Sequence, residues 1–137
     1  MEYWWALFAM VCWGLAPIFA KFGLVNMDPM VGLLLRTVAA AGLISTWTGL
    51  SGTAAQIHTV SIRSMGLILV EAILATLIGD LAYYKAIKGG DVSVVTLIMS
   101  SSPLITMMCA ALFLDEPMSG WRILGALYII VGIVMVR

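Results

Sequence analysis

The sequence predicts an all-α membrane protein with five transmembrane helices, and three observations predict it. Of the 137 residues, 63% are hydrophobic and only 10% are charged, whereas soluble domains carry about 25% charged residues. The apolar residues fall into five runs, each close to the roughly 20 residues that a helix needs to cross a bilayer. The breaks between the runs hold Gly, Pro, Asn, Asp or Ser, which favour turns or interrupt helices. The expected spans are about 3–24, 30–50, 65–85, 92–114 and 118–136, in a single domain over residues 1–137.

The first span runs from Tyr3 to Leu24. It resembles a signal peptide only at first sight. Glu2 is the one charge before Lys21, so a basic n-region is lacking, and the apolar run is longer than a typical h-region. A retained span is therefore expected. Trp13, Pro17 and Lys21 are spaced four apart and share a face. Trp4, Trp5 and Trp121 suit the membrane interface, but Trp13 falls near mid-membrane. Beside Gly14 it reads either as a stacking wall for a solute or as a bulky packing residue.

Val25-Asn26-Met27-Asp28-Pro29 separates this span from the second, Met30–Leu50. Arg36 lies about two turns into it. The following polar stretch, Ser51–Ser64, holds His58, read as a solvated loop histidine. The third span, Met65–Lys85, carries Glu71 and Asp80. Charged groups inside a bilayer cost about 2.5–3.5 kcal/mol each on insertion scales. The second span starts on the side where the third ends, so Arg36 and Asp80 fall at similar depth and are expected to pair. That pair reads as a charge-neutralising staple or as part of a substrate site. Glu71 precedes Asp80 by nine residues, about 180° round a regular helix. It has no basic residue at its depth. A carboxylate without a counter-charge in low dielectric favours its protonated form, which makes Glu71 a candidate for proton coupling. The alternative is a neutral or hydrogen-bonded glutamate at a helix interface.

Gly89-Gly90-Asp91 precedes the fourth span, Val92–Leu114. Ser93, Thr96, Ser100, Pro103 and Met107 follow each other at intervals of three and four, one face of a helix. Pro103 removes a donor from the carbonyl one turn earlier, which in lipid needs a neighbour or water. This polar stripe lines a solute cavity or serves helix packing. The Leu114-Asp115-Glu116-Pro117 hinge leads into the fifth span, Met118–Val136, where Gly125 and Gly132 share a face and allow close helix approach.

Composition also excludes function classes. Net charge is zero, and no basic run points to nucleic acid. Cys12 and Cys109 lie inside apolar runs and read as packing residues. No CxxC or His cluster suggests a metal, and no cofactor is expected. The spans hold no His pair, no Ser–His constellation and no acidic cluster, so an enzyme is not expected. Lys21, Arg36, Lys85, Lys88 and Arg137 lie on or near the C-terminal side, against Arg63 and Arg122 on the other. The bias favours N-outside, C-inside, yet it is small enough to permit insertion both ways.

These residues resemble the drug/metabolite transporter superfamily, specifically one EamA-type domain. The resemblance rests on Trp13-Gly14 with Pro17 and Lys21, then Leu35-Arg36, then Tyr84, Ala86 and Ile87 before Gly89-Gly90. Ser102-Pro103, Leu114, Glu116, Gly125 and Gly132 continue it, so it covers essentially the whole chain. Small multidrug-resistance proteins are similar in size, but they have four helices and a carboxylate in the first, where this chain has Trp13-Gly14. The resemblance implies half of a ten-helix bundle that must pair to build a central cavity. An antiparallel homodimer or a heterodimer with an oppositely oriented paralogue would supply the inverted symmetry of alternating access. The expected function is a secondary transporter of small metabolites or amphipathic compounds, an exporter in the inner membrane. Trp13, Pro17, Tyr84, Ser93, Thr96, Ser100 and Pro103 are its expected cavity residues. The competing reading is a non-transporting membrane assembly subunit.

Overall fold

A computed structural model describes residues 2–136, with side chains over residues 3–135. The described residues form helices joined by short turns, and no strand occurs among them. The helices are α1 (Glu2–Gly23), α2 (Pro29–Leu50), α3 (Ile62–Ala72), α4 (Asp80–Gly89), α5 (Val92–Met99), α6 (Ser102–Phe113) and α7 (Gly120–Val136). A 3₁₀ segment, Thr53–Thr59, precedes α3, and a π-helical segment, Ile73–Gly79, joins α3 to α4 without a break. The chain divides into two compact units, Met1–Gly89 and Gly90–Arg137.

Four helical stretches are long and apolar enough to cross a membrane: Tyr3–Gly23, Pro29–Leu50, Ile62–Gly89 and Val92–Phe113. Two of these, the third and the fourth, differ from the expected elements. The third span starts earlier than residue 65, because Ser61 caps it: its Oγ accepts from the Ser64 N–H at 3.1 Å, satisfying one of the donors that a helix start leaves open. It also runs on to Gly89. The fourth span is interrupted, since α5 ends at Met99 and α6 begins at Ser102. Pro103 sits in the first turn of α6, where its missing N–H is harmless. The second span opens as its sequence indicates, with Asp28 Oδ1 accepting from the Met30 N–H at 2.8 Å and Pro29 in the first turn.

The fifth apolar segment is shorter, Gly120–Met135. Its expected first residues are instead part of the link after α6. Asp115 adopts φ 51 there, a left-handed conformation that Asp tolerates better than most residues. Pro117 disfavours helix at the residue before it. Arg122 then ties the link down, with Nη1 donating to the Pro117 carbonyl at 3.2 Å and lying 3.5 Å from Glu116 Oε2.

Packing in the first unit concentrates at one end. Leu24, Leu33 and Tyr84 form its buried cluster, with Ala20, Leu81 and Tyr83 against it. Ile87 is fully buried, and Pro17 and Pro29 are buried as well. All of these lie where α1 ends, α2 begins and α4 ends. Gly32 makes the approach of α2 possible, because a Cβ there would sit 2.6 Å from Leu24 Cδ2 and 3.5 Å from the Tyr84 ring. Elsewhere most of the large apolar side chains are exposed, from Trp4 and Leu43 to Val134. That surface suits lipid, not water.

Gly32→Leu should therefore destabilise the chain by about 1–3 kcal/mol through overpacking. Gly42→Leu, with nothing within 4 Å of its Cβ, should leave stability unchanged. Thermal unfolding of the detergent-solubilised variants, followed by size-exclusion chromatography, checks the contrast.

Candidate functional site

Polar chemistry in the first unit gathers at the same tightly packed end. Arg36 is seven residues past Pro29, about 10 Å along α2. Its Nη1 lies 2.5 Å from Asp80 Oδ2, and its guanidinium carbon stands 6.0 Å from the centre of the Tyr84 ring. The structure thus brings Arg36 and Asp80 together, and it adds an aromatic face that holds the cation by its quadrupole. Asp80, Tyr84 and Lys88 recur at intervals of four and share the face of α4 that meets α2. Gly32, Leu33 and Arg36 form the matching face of α2.

The wide turns of Ile73–Gly79 set this register. A π segment accommodates extra residues per turn, so each wide turn displaces what precedes it by about 100° relative to a regular helix. The 180° separation between Glu71 and Asp80 expected from an unbroken α-helix therefore does not hold. Glu71 lies in α3, two residues before the π segment, and is exposed on the chain's own surface.

Two lysines close this end. Lys21, in the last turn of α1, donates from Nζ to the Ile87 carbonyl at 2.7 Å and to the Lys88 carbonyl at 3.3 Å. Lys88 in turn donates to the Met27 carbonyl at 2.9 Å. Each lysine thus caps carbonyls that a helix end or turn leaves without a donor. Sequence reasoning placed Lys21 on a face with Trp13 and Pro17 but missed its partner. The available signal was a basic last turn beside a Gly-Gly helix stop.

The expected cavity residues fall in both units. In the first, Pro17 is buried, Tyr84 is 8% exposed and Trp13 is 78% exposed. In the second, Ser93, Ser100 and Pro103 are exposed and Thr96 is half-buried. Thr96 Oγ1 donates to the Val92 carbonyl at 2.7 Å, and Ser100 Oγ to the Leu97 carbonyl at 2.6 Å. Ser101 Oγ donates to the Ile98 carbonyl at 2.5 Å. The polar stripe is not one continuous helix face, because the turn at Ser100-Ser101 interrupts it. Among the described residues no group of His, Cys, Asp or Glu is placed to hold a metal.

The sequence profile of the EamA-like transporter family matches residues 1–137. The chain belongs to that family. It is also 29% identical over 128 residues to a Sinorhizobium protein named "Uncharacterized transporter in cobO 3′ region", covering 93% of this chain and 90% of that protein. No solved structure matches it. This EamA-like protein is a multi-pass membrane transporter, and its family is one of transporters rather than enzymes.

Neutralising one member of the ion pair leaves the other charge unpaired at membrane depth. Arg36→Gln and Asp80→Asn should each destabilise by about 1–3 kcal/mol. The double variant should be closer to wild type than the sum of the two. A double-mutant cycle on unfolding in detergent or bicelles measures this coupling.

Proposed function

We propose that this EamA-like protein is a secondary transporter that exports small metabolites or amphipathic compounds by alternating access. The observation that carries the reading is the broken fourth span. Ser100 lies eight residues past Val92, about 12 Å along the span. Irregular backbone at membrane depth is tolerated only where protein buries it or where it lines a water-filled cavity. Discontinuous helices of this kind form substrate sites near the midplane in other secondary transporters. Two hydroxyls flank the break, and each can exchange its bond to its own backbone for a bond to a solute at little cost.

In this reading Trp13 and Tyr84 of the first unit, and Ser93, Thr96 and Ser100 of the second, are each solute-contacting residues, with rocking around Pro17 and Pro103. Trp13 presents its ring to stack on the solute. Two chains complete the transporter in the inner membrane of a bacterium or archaeon. An antiparallel homodimer or an inverted paralogous partner provides the symmetry, and five crossings per chain place the two termini on opposite sides. The Gly120–Met135 helix is short for a straight crossing. Glu71 is the candidate carrier of a coupling proton, since an exposed carboxylate on a span needs a partner chain, a cavity or a proton. A second reading, a non-transporting assembly subunit, draws on the same hydroxyl bonds. Back-bonded Ser and Thr also serve helix packing.

Flux into proteoliposomes separates the two readings, because an assembly subunit moves no solute. Trp13→Ala and Ser100→Ala should each lower the initial rate about tenfold or more, the loss of one good contact, without lowering the melting temperature. Unchanged flux in both variants would remove the cavity assignment. Glu71→Gln should abolish the pH dependence of flux while leaving the chain folded, and a retained pH profile would end its assignment as proton carrier. Cysteine accessibility at both termini in intact cells, in a background lacking Cys12 and Cys109, should label each terminus from both sides if the homodimer is antiparallel.

A further inference from the structure

Arg36 is the cation at depth in the first unit, and its surroundings are unequal. The ion pair runs through Nη1, and a guanidinium has five donors in a planar fork. Tyr84 holds one part of the group at 6.0 Å, yet 49% of the Arg36 side chain remains exposed, against 24% for Asp80. An arginine about 10 Å inside a span does not offer half its side chain to lipid. Charged groups there face the bundle interior or a water-filled cavity.

We propose that Arg36 is a binding site for the carboxylate of an organic anion, with Asp80 holding the guanidinium in place between binding events. The proposal rests on the transporter reading and names the substrate class of that transporter. A carboxylate meets the outward part of the fork through two parallel N–H···O bonds, the geometry in which Arg excels and Lys does not. The Tyr84 ring, 6.0 Å from the guanidinium carbon, and Asp80 hold the group near one position before the solute arrives. The apolar walls of the spans then suit a carboxylate carried on a hydrophobic body. A phospholipid headgroup offers related chemistry, but its phosphate lies at the interface, not one-third of the way into a span.

The test uses the full chain and three aromatic probes of similar size: benzoate, neutral benzamide and cationic benzylamine. Benzoate alone should raise the melting temperature of the detergent-solubilised wild type, and radiolabelled benzoate should exchange by counterflow in proteoliposomes. Arg36→Gln/Asp80→Asn keeps the site electrically balanced, so it should remain folded while binding benzoate at least about tenfold more weakly. Arg36→Lys, which keeps the charge but loses the fork, should show a similar loss. Equal binding of benzoate by wild type and the double variant overturns the proposal. So does equal stabilisation by benzamide or benzylamine, or no stabilisation by benzoate at all. Stabilisation by added phosphatidylglycerol that depends on Arg36 and excludes benzoate would assign the site to lipid and likewise overturn it. Benzoate binding without flux of any probe would leave the anion site standing and count against transport. Flux of benzylamine or benzamide without Arg36-dependent benzoate binding would do the reverse.

Discussion

Every carbonyl that a membrane helix leaves without an N–H donor must find another donor, because lipid offers none. Much of this protein's polar chemistry answers that constraint. Lys21 reaches from α1 to the carbonyls of Ile87 and Lys88 at the end of α4. Lys88 answers by bonding the Met27 carbonyl in the turn between α1 and α2. In the second unit Ser100 donates to the Leu97 carbonyl just where the helix breaks. The cations at the first site do two tasks at once: they cap, and they tie separate helices to each other. Apolar attraction cannot do the second task in lipid, since the tails are as apolar as the side chains.

Charge placement obeys a related rule. Arg36 and Asp80 are tolerable at depth because each neutralises the other at contact distance. Reaching that contact requires the correct face of the third span, and the π segment just before Asp80 supplies it. Wide turns of this type recur at functional sites, where they turn a side chain toward a partner at the expense of regular hydrogen bonding. The Tyr84 ring joins the two concerns. It packs on Leu24 and Leu33 in the buried cluster and faces the guanidinium with its aromatic surface. A substitution there would disturb packing and charge together.

The first two spans, the apolar character of the third and fourth, and the membrane class were legible in the sequence. Their signals are additive over some 20 residues, and hydropathy sums them well. Asp28-Pro29 was equally legible as a helix start, since a cap side chain followed by proline is a local device. The Arg36–Asp80 pair could be reasoned from depth alone. Register could not. A π segment has no composition of its own, so the turn between Glu71 and Asp80 was invisible and the angle assigned to them was wrong. The interruption at Ser100-Ser101 was half visible: Pro103 marked a disturbed ladder, but the turn's exact place depends on which carbonyls the hydroxyls choose. The role of Lys21 was hidden because its partners are backbone atoms, 66 residues away, and backbone carbonyls leave no trace in a sequence.

The uneven packing of the first unit has a mechanical consequence. At one end a small buried cluster, two lysine caps and an ion pair fix α1, α2 and α4 against each other, and Gly32 lets the helices come close. Along the opposite ends of α1 and α2, and along α3, the large side chains are exposed, and the polar bonds of Thr46 and Thr48 stay within α2. Helix association in a bilayer depends on close packing and interhelical bonds. Those ends are therefore free to follow whatever lies against them, lipid or a second chain, while the bonded end keeps its geometry. Such a bonded end can hold charged groups in place while the helices beyond it change their spacing without breaking a buried polar bond.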